Sequence, residues 1–179
     1  MCGIAGFWGA DAGQRTARMT RALAHRGPDG EGVWQCPGST LALGNRRLRV
    51  LDLSEKGHQP MALGHGRWVV TYNGEIYNHR DLRLSLEGEG EVFQSHGDTE
   101  VLAHALRKWD LAALDRLEGM FAFAFWNEDR KRLLLARDRL GIKPLYFARR
   151  GNQLAFASEI RAVLASGLVV PSLDTQSLE

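Results

Sequence analysis

Two cysteines, Cys2 and Cys36, are the only thiols in this chain of 179 residues. So few cysteines exclude a disulfide framework, and the expected compartment is reducing and cytoplasmic. No apolar run approaches the roughly 18 residues of a membrane span. A secretory signal is not expected either, because Gly9, Asp11 and Gln14 interrupt the opening apolar stretch. Excess charge of one sign is also missing: 23 Lys and Arg against 21 Asp and Glu leave a net +2, with the signs interspersed. Nucleic-acid binding needs clustered basic charge, so no such partner is expected.

Several site motifs are absent. There is no Gly-x4-Gly-Lys-Ser/Thr loop, and Gly88-Glu89-Gly90 lacks the third glycine of the dinucleotide fingerprint. The histidines at 25, 58, 65, 79, 96 and 104 include no pair at metal-ligand spacing, and two distant cysteines cannot form a zinc cluster. Gly-x-Ser-x-Gly is missing as well. Dehydrogenase, metalloenzyme and serine-hydrolase chemistry lose their usual support, and neither a metal nor a cofactor is expected in this domain.

What the chain does contain is ordinary globular material, 44% hydrophobic and 25% charged, with 20 glycines. Its length favours one domain that buries roughly 70% of its unfolded surface. Residues 2–9 are too short for anything but a strand, and 14–24 carry a weak helical stripe. His25-Arg26-Gly27-Pro28-Asp29-Gly30 forces a loop. Short strands are predicted at 31–36 and 40–45, and 54–66 reads as loop. Residues 67–73 are a strand by β-branched and aromatic enrichment, ended by Gly74. A helix over 79–86, a short strand over 92–94 and a strong helix from Asp98 follow. A short helix over 111–117 precedes four strands at 120–126, 132–137, 144–149 and 153–157, then a helix over 158–166. In the first of those strands both faces are apolar, so both must be covered. Two packed sheets with helical outer layers satisfy that demand. The stretch 167–179 reads as a linker.

Cys2 directly follows the initiator Met. If Met1 is removed, Cys2 carries an α-amine with a reference pKa of about 7.7–8.0. Such an amine can take the thiol proton, so one residue supplies both nucleophile and base. A retained Met1 would lock that nitrogen in an amide. The plain alternative is a small residue at the start of a strand.

Five segments then occur in order: Met1-Cys2-Gly3-Ile4-Ala5-Gly6, the His25–Gly30 loop, Asn73-Gly74-Glu75-Ile76-Tyr77-Asn78, Gly97-Asp98-Thr99-Glu100, and Arg137-Asp138-Arg139-Leu140-Gly141-Ile142-Lys143-Pro144-Leu145-Tyr146. Together they closely resemble the class II glutamine amidotransferase domain, in particular the glutaminase domain of glutamine-hydrolysing asparagine synthetases. The resemblance covers residues 2 to about 165. It implies an N-terminal-nucleophile hydrolase fold, α+β, with four αββα layers and two mainly antiparallel sheets. The glutaminase domain is expected over 2–166.

The resemblance makes Cys2 the nucleophile that attacks the glutamine amide and forms a thioester, with Asn73 and Gly74 as oxyanion hole. Asn73-Gly74 by itself reads equally as a hairpin turn. Arg47 is expected to clamp the substrate α-carboxylate, although beside Arg46 and Arg49 it also reads as a solvated charge. Leu48, Arg49, Val50 and Leu51 are expected to line the glutamine pocket with their backbone, with Glu75 close by. Asp98 is expected to accept the α-ammonium; its alternative is a helix N-cap, and both roles are compatible. His25 and Asp29 are expected to order their loop, Phe121, Phe123 and Phe125 to be core, and Cys36 to be a spectator.

The Ser-Gly-Gly-Leu-Asp-Ser signature of the ATP-binding synthetase domain does not occur. The expected partners are therefore L-glutamine and a C-terminal or separate ATP-dependent synthetase domain, where ATP and Mg would act. A homodimer is compatible with the chain. The expected activity is release of ammonia for asparagine biosynthesis. The alternatives are another ammonia acceptor, or a non-catalytic glutamine-binding or scaffold domain of the same fold.

Overall fold

The opening apolar stretch forms β1 (Gly3–Trp8), and a computed structural model, describing residues 1–50 and 52–172, places it mid-sheet. Its neighbours are β3 (Leu41–Arg47) and β9 (Gln153–Ala157), while β2 (Gly30–Gln35) and β8 (Tyr146–Arg150) form the edges. All pairings in this sheet are antiparallel, with Gly3 opposite Arg46 and Ala5 opposite Ala157. Chain termini fray unless tied down. Here Ile4 N–H also donates to Ser158 Oγ at 2.9 Å, and Ser158 N–H donates to the Ile4 carbonyl at 2.9 Å.

The second sheet runs in chain order: β4 (Met61–Leu63), β5 (Trp68–Ile76), β6 (Gly119–Asn127) and β7 (Arg132–Arg137). Side chains alternate between its faces. Phe121, Phe123, Phe125 and Tyr72 pack with Leu86, Leu102 and Leu106, which belong to α2 (His79–Gly88) and α3 (Asp98–Trp109). Ala124, Trp126 and Val69 point the other way and meet Leu41, Leu43 and Phe156 of the first sheet. Beyond that sheet, Phe7, Ala155 and Ala157 pack with Met19 and Val163, on α1 (Ala12–Ala22) and α4 (Ile160–Ala165). The layers are thus αββα, as expected. Each fully buried Phe contributes about 1.5–3 kcal/mol of transfer free energy.

Some expected boundaries differ. β5 does not stop at Gly74 but continues to Ile76, because Asn73, Gly74 and Glu75 pair with Ala122, Phe121 and Met120. Asn73-Gly74 is therefore mid-strand and not a hairpin turn. The predicted loop 54–66 contributes β4, paired through Met61 opposite Val70. Residues 92–94 form no strand, and the predicted helix over 111–117 is a 3-10 turn, Asp110–Asp115. Leu168 is buried against the α1–α4 layer, so packing extends past residue 166. Of the expected linker, 173–179 lie outside the described residues.

Candidate active site

One pocket of about 220 Å3 collects Cys2, Arg47, Leu48, Val50, Asn73, Gly74, Glu75 and Asp98. Cys2 enters it from the start of β1, half-buried, with its carbonyl accepting from Arg26 Nε at 2.9 Å. Its Sγ accepts from the Leu48 backbone N–H at 3.3 Å. The thiol in turn donates to the Leu48 carbonyl at 3.6 Å. Met1 also lines the pocket and carries the chain's α-amine, so Cys2 N is here an amide.

Asn73 is 2% exposed, and its Nδ2 has no hydrogen-bond partner among the described residues. A buried, unpaired amide is costly, about 1–3 kcal/mol, unless something completes it. Since the residue faces the same pocket as Cys2, a developing oxyanion is a fitting partner. The glycine that follows is needed for a different reason than ligand approach. A Cβ at Gly74 would lie 2.3 Å from the Met120 carbonyl oxygen and 2.8 Å from Phe121 Cα. Strand β6, and not the substrate, demands glycine there.

At the other end stand one cation and one anion. Arg47 is 8% exposed and donates to the carbonyls of Ser54, at 2.9 Å, and Asp52. Its neighbours Arg46 and Arg49 pair with Glu31 and Glu55, whereas Arg47 has no ion pair among the described residues. It is a buried charge held by carbonyls and not the solvated alternative. Gly57 makes room for it, because a Cβ would come within 2.1 Å of Nη2. Asp98 is the first residue of α3, with Gly97 at the N-cap position, so the cap reading does not hold. Its Oδ2 instead accepts from Tyr72 OH at 2.7 Å and Ile76 N–H at 3.0 Å. Burial, together with the Asp98 charge, pushes the Tyr72 phenol well above its usual range, which keeps it a donor.

The chain as a whole is similar to known proteins. A profile of the glutamine amidotransferase domain family matches residues 1–179. The chain belongs to that family. Asparagine synthetase [glutamine-hydrolyzing] 3 of Bacillus subtilis is 40% identical over 99% of this chain and 30% of its own length. Amidase chry2 of Gibberella zeae is 36% identical over 94% of this chain and 27% of its own. The solved glutamine phosphoribosylpyrophosphate amidotransferase of B. subtilis superposes with a TM-score of 0.81 at 27% identity, covering 93% of this chain and 44% of that one. The amidotransferase domain thus spans about a third of the curated relatives it matches.

Not every expected residue enters the pocket. Arg49 turns away, donating to Glu55 at 2.5 Å and to the Leu53 carbonyl, and only its neighbours Leu48 and Val50 line the wall. Leu51 lies outside the described residues. Asp29 Oδ2 accepts from Arg49 N–H at 3.0 Å and His25 Nε2 sits 2.9 Å from Glu159 Oε1, so both brace their loop. Cys36 is buried, and burial with the nearby Glu128 carboxylate pushes its thiol up, consistent with a spectator.

Sequence reasoning missed Tyr72, Asp52, Gln59, Ser95 and Lys143, all in the pocket wall. Lys143 carried a signal in its motif: Asp138 accepts from the N–H groups of Phe121, Ile142 and Lys143, folding the loop inward. Its Nζ lies 3.7 Å from Met1 Sδ. No helix among the described residues is long and apolar enough to cross a membrane.

Proposed function

We propose that this domain hydrolyses L-glutamine to glutamate and ammonia through a thioester on Cys2. After removal of Met1, the freed α-amine accepts the thiol proton and Sγ attacks the glutamine Cδ. The carbonyl oxygen gains the negative charge and is held by Asn73 Nδ2–H and the Gly74 N–H, each such donor worth about 3–4 kcal/mol in the transition state. The C–N bond breaks as the α-ammonium returns its proton to the leaving nitrogen, which departs as ammonia. Water then cleaves the thioester, giving glutamate and the free thiol. Arg47 pairs with the substrate α-carboxylate and Asp98 with its α-ammonium, fixing Cδ over the sulfur.

The observation that carries this reading is the unpartnered Asn73 Nδ2 in the pocket that Cys2 enters. An ATP-dependent synthetase domain is the proposed ammonia consumer, with ATP and Mg acting there and aspartate as acceptor. A different acceptor is the second reading, favoured by the relative named an amidase. A reducing, cytoplasmic setting suits a catalytic thiol. The test compares glutamate release by Met1-processed protein and by Cys2→Ala, each with a synthetase domain supplied. Release only by the processed wild type is expected; equal release would overturn the proposal.

A further inference from the structure

The segment from Glu89 to Gly97 has neither helix nor strand, yet it delivers Ser95 and Gly97 to the pocket and leads into Asp98. The N–H groups of Glu89, Gly90 and Glu91 bond back to α2, but beyond them the backbone lacks a ladder and side chains take over. Glu100, 4% exposed, supplies the acceptors for Gln94 and Ser95. Its Oε2 accepts from Ser95 N–H at 2.7 Å, Ser95 Oγ–H at 2.7 Å and Gln94 N–H at 3.1 Å, while Oε1 accepts from Gln94 N–H at 2.9 Å. Arg83 Nη2 donates to the Ser95 carbonyl at 2.9 Å and its guanidinium stacks over Phe93. No other carboxylate among the described residues hydrogen-bonds the 94–95 backbone in this way.

Behind Glu100 lies a second acid. His104 Nδ1 is 2.7 Å from Glu91 Oε2, which Arg107 also contacts, and His104 Nε2 is 3.8 Å from Glu100 Oε1. Among the described residues the Glu91 side chain bonds to His104 and Arg107 and to no residue of the pocket wall. The two carboxylates share one buried cluster, but only Glu100 reaches the wall.

We propose that Glu100 is a positioning residue for glutamine binding, holding Gln94 and Ser95 so that Gly97 and Asp98 meet the substrate α-ammonium. This rests on the glutaminase reading above. Glu100 touches neither Cys2 nor Asn73, so its effect falls on affinity and not on the chemical step. Losing its acceptors leaves the buried Ser95 N–H and hydroxyl and the part-buried Gln94 N–H unpaired, and the segment relaxes to find water.

The test measures the L-glutamine dissociation constant by calorimetry in a Cys2→Ala background, and steady-state kinetics in the Met1-processed protein. Glu100→Ala is expected to weaken binding about tenfold or more, and Glu100→Gln, which keeps one acceptor oxygen, by about threefold to fivefold. KM rises in parallel while kcat stays within about twofold. Glu91→Gln, in the same cluster, leaves the dissociation constant unchanged, which separates positioning from general stability. Unchanged affinity in both Glu100 variants, or a fall in kcat with KM intact, overturns the proposal. If Glu100→Ala does not fold, Glu100→Gln decides alone, and wild-type affinity overturns it. A Cys2→Ala parent that binds no glutamine overturns the glutaminase reading as well, so the two failures are distinguishable.

Discussion

Cys2, Asn73 and Gly74 stand on or beside paired strands, Asn73 and Gly74 opposite Ala122 and Phe121 and Cys2 next to the Gly3–Arg46 pair, whereas Arg47, Asp52, Ser95 and Asp98 stand where strands and helices give way to loops. The first wall is positioned by backbone ladders, β1 on β3 beside Cys2 and β5 on β6 at Asn73 and Gly74. The second is positioned by side chains bonded to backbone, Arg47 to the Ser54 and Asp52 carbonyls and Glu100 to the Gln94 and Ser95 amides. The reacting atoms thus sit on the stiffer part of the molecule, and substrate recognition sits on the part that individual charged residues hold in place. A rigid scaffold suits groups that must lie within a fraction of an ångström of the transition state, while loops suit the recognition of a substrate's ends.

The sharpest break in that comparison comes from Asn73→Ala. On the strand wall it should lower kcat about 100-fold to 1,000-fold with KM changed only a few-fold, read from steady-state glutaminase kinetics. A rise in KM alone would place Asn73 on the recognition side.

On the loop wall the split should reverse. Arg47→Ala and Asp98→Asn should each raise KM about 10-fold to 100-fold and leave kcat largely intact, since each removes one charge partner of the substrate. A kcat loss with unchanged KM at either position would erase the distinction between the walls.

Gly74→Ala probes the strand wall by stability. The added Cβ would meet the Met120 carbonyl at 2.3 Å, and Phe121 beside it is tied to Asp138 on the far side, which limits how far β6 can retreat. A loss of about 1–3 kcal/mol is expected in urea denaturation. No loss would mean that β5 and β6 yield there.

Acid should act on the loop wall, with no effect near neutrality. Burial pushes the Glu100 carboxyl up, but the His104 ring, Ser95 and Gln94 outweigh it and hold it at about 2. Its folded value lies below the unfolded one of about 4.3, so its stabilisation is present above that value and is lost as pH falls toward 2. Thermal midpoints between pH 7 and pH 3 should therefore be flat down to about pH 5 and then decline. The decline should be shallower in Glu100→Gln, and an identical decline in both proteins would remove Glu100 as a source of the acid sensitivity.

The strand wall was also the legible one. Alternation along 120–126 correctly assigned Phe121, Phe123 and Phe125 to one face, and the apolar spacing after Asp98 gave helix α3. Glycine misled at position 74, because the chain needs it for a neighbouring strand's carbonyl and keeps β5 running. Val92 and Phe93 suggested a strand by composition, but Val92 is 80% exposed and Phe93 is held by Arg83 and the His104 ring. Asp98 looked like a cap because local spacing cannot show that Tyr72, on another element, donates to it. Arg49 looked like Arg47, and only the fold separates the one paired to Glu55 from the one that faces the pocket. The loop wall is fixed by side chains bonded to irregular backbone a few residues away, and such bonds leave no helical or strand period in the sequence.

The central claim is that Cys2 becomes covalently acylated. Met1-processed protein mixed with glutamine and quenched in acid within a turnover should show, by intact-protein mass spectrometry, the added mass of one γ-glutamyl group. Peptide mapping should locate it at Cys2, and hydroxylamine should remove it. Glutamate production with no adduct at Cys2, or an adduct that persists in Cys2→Ala, would contradict the account.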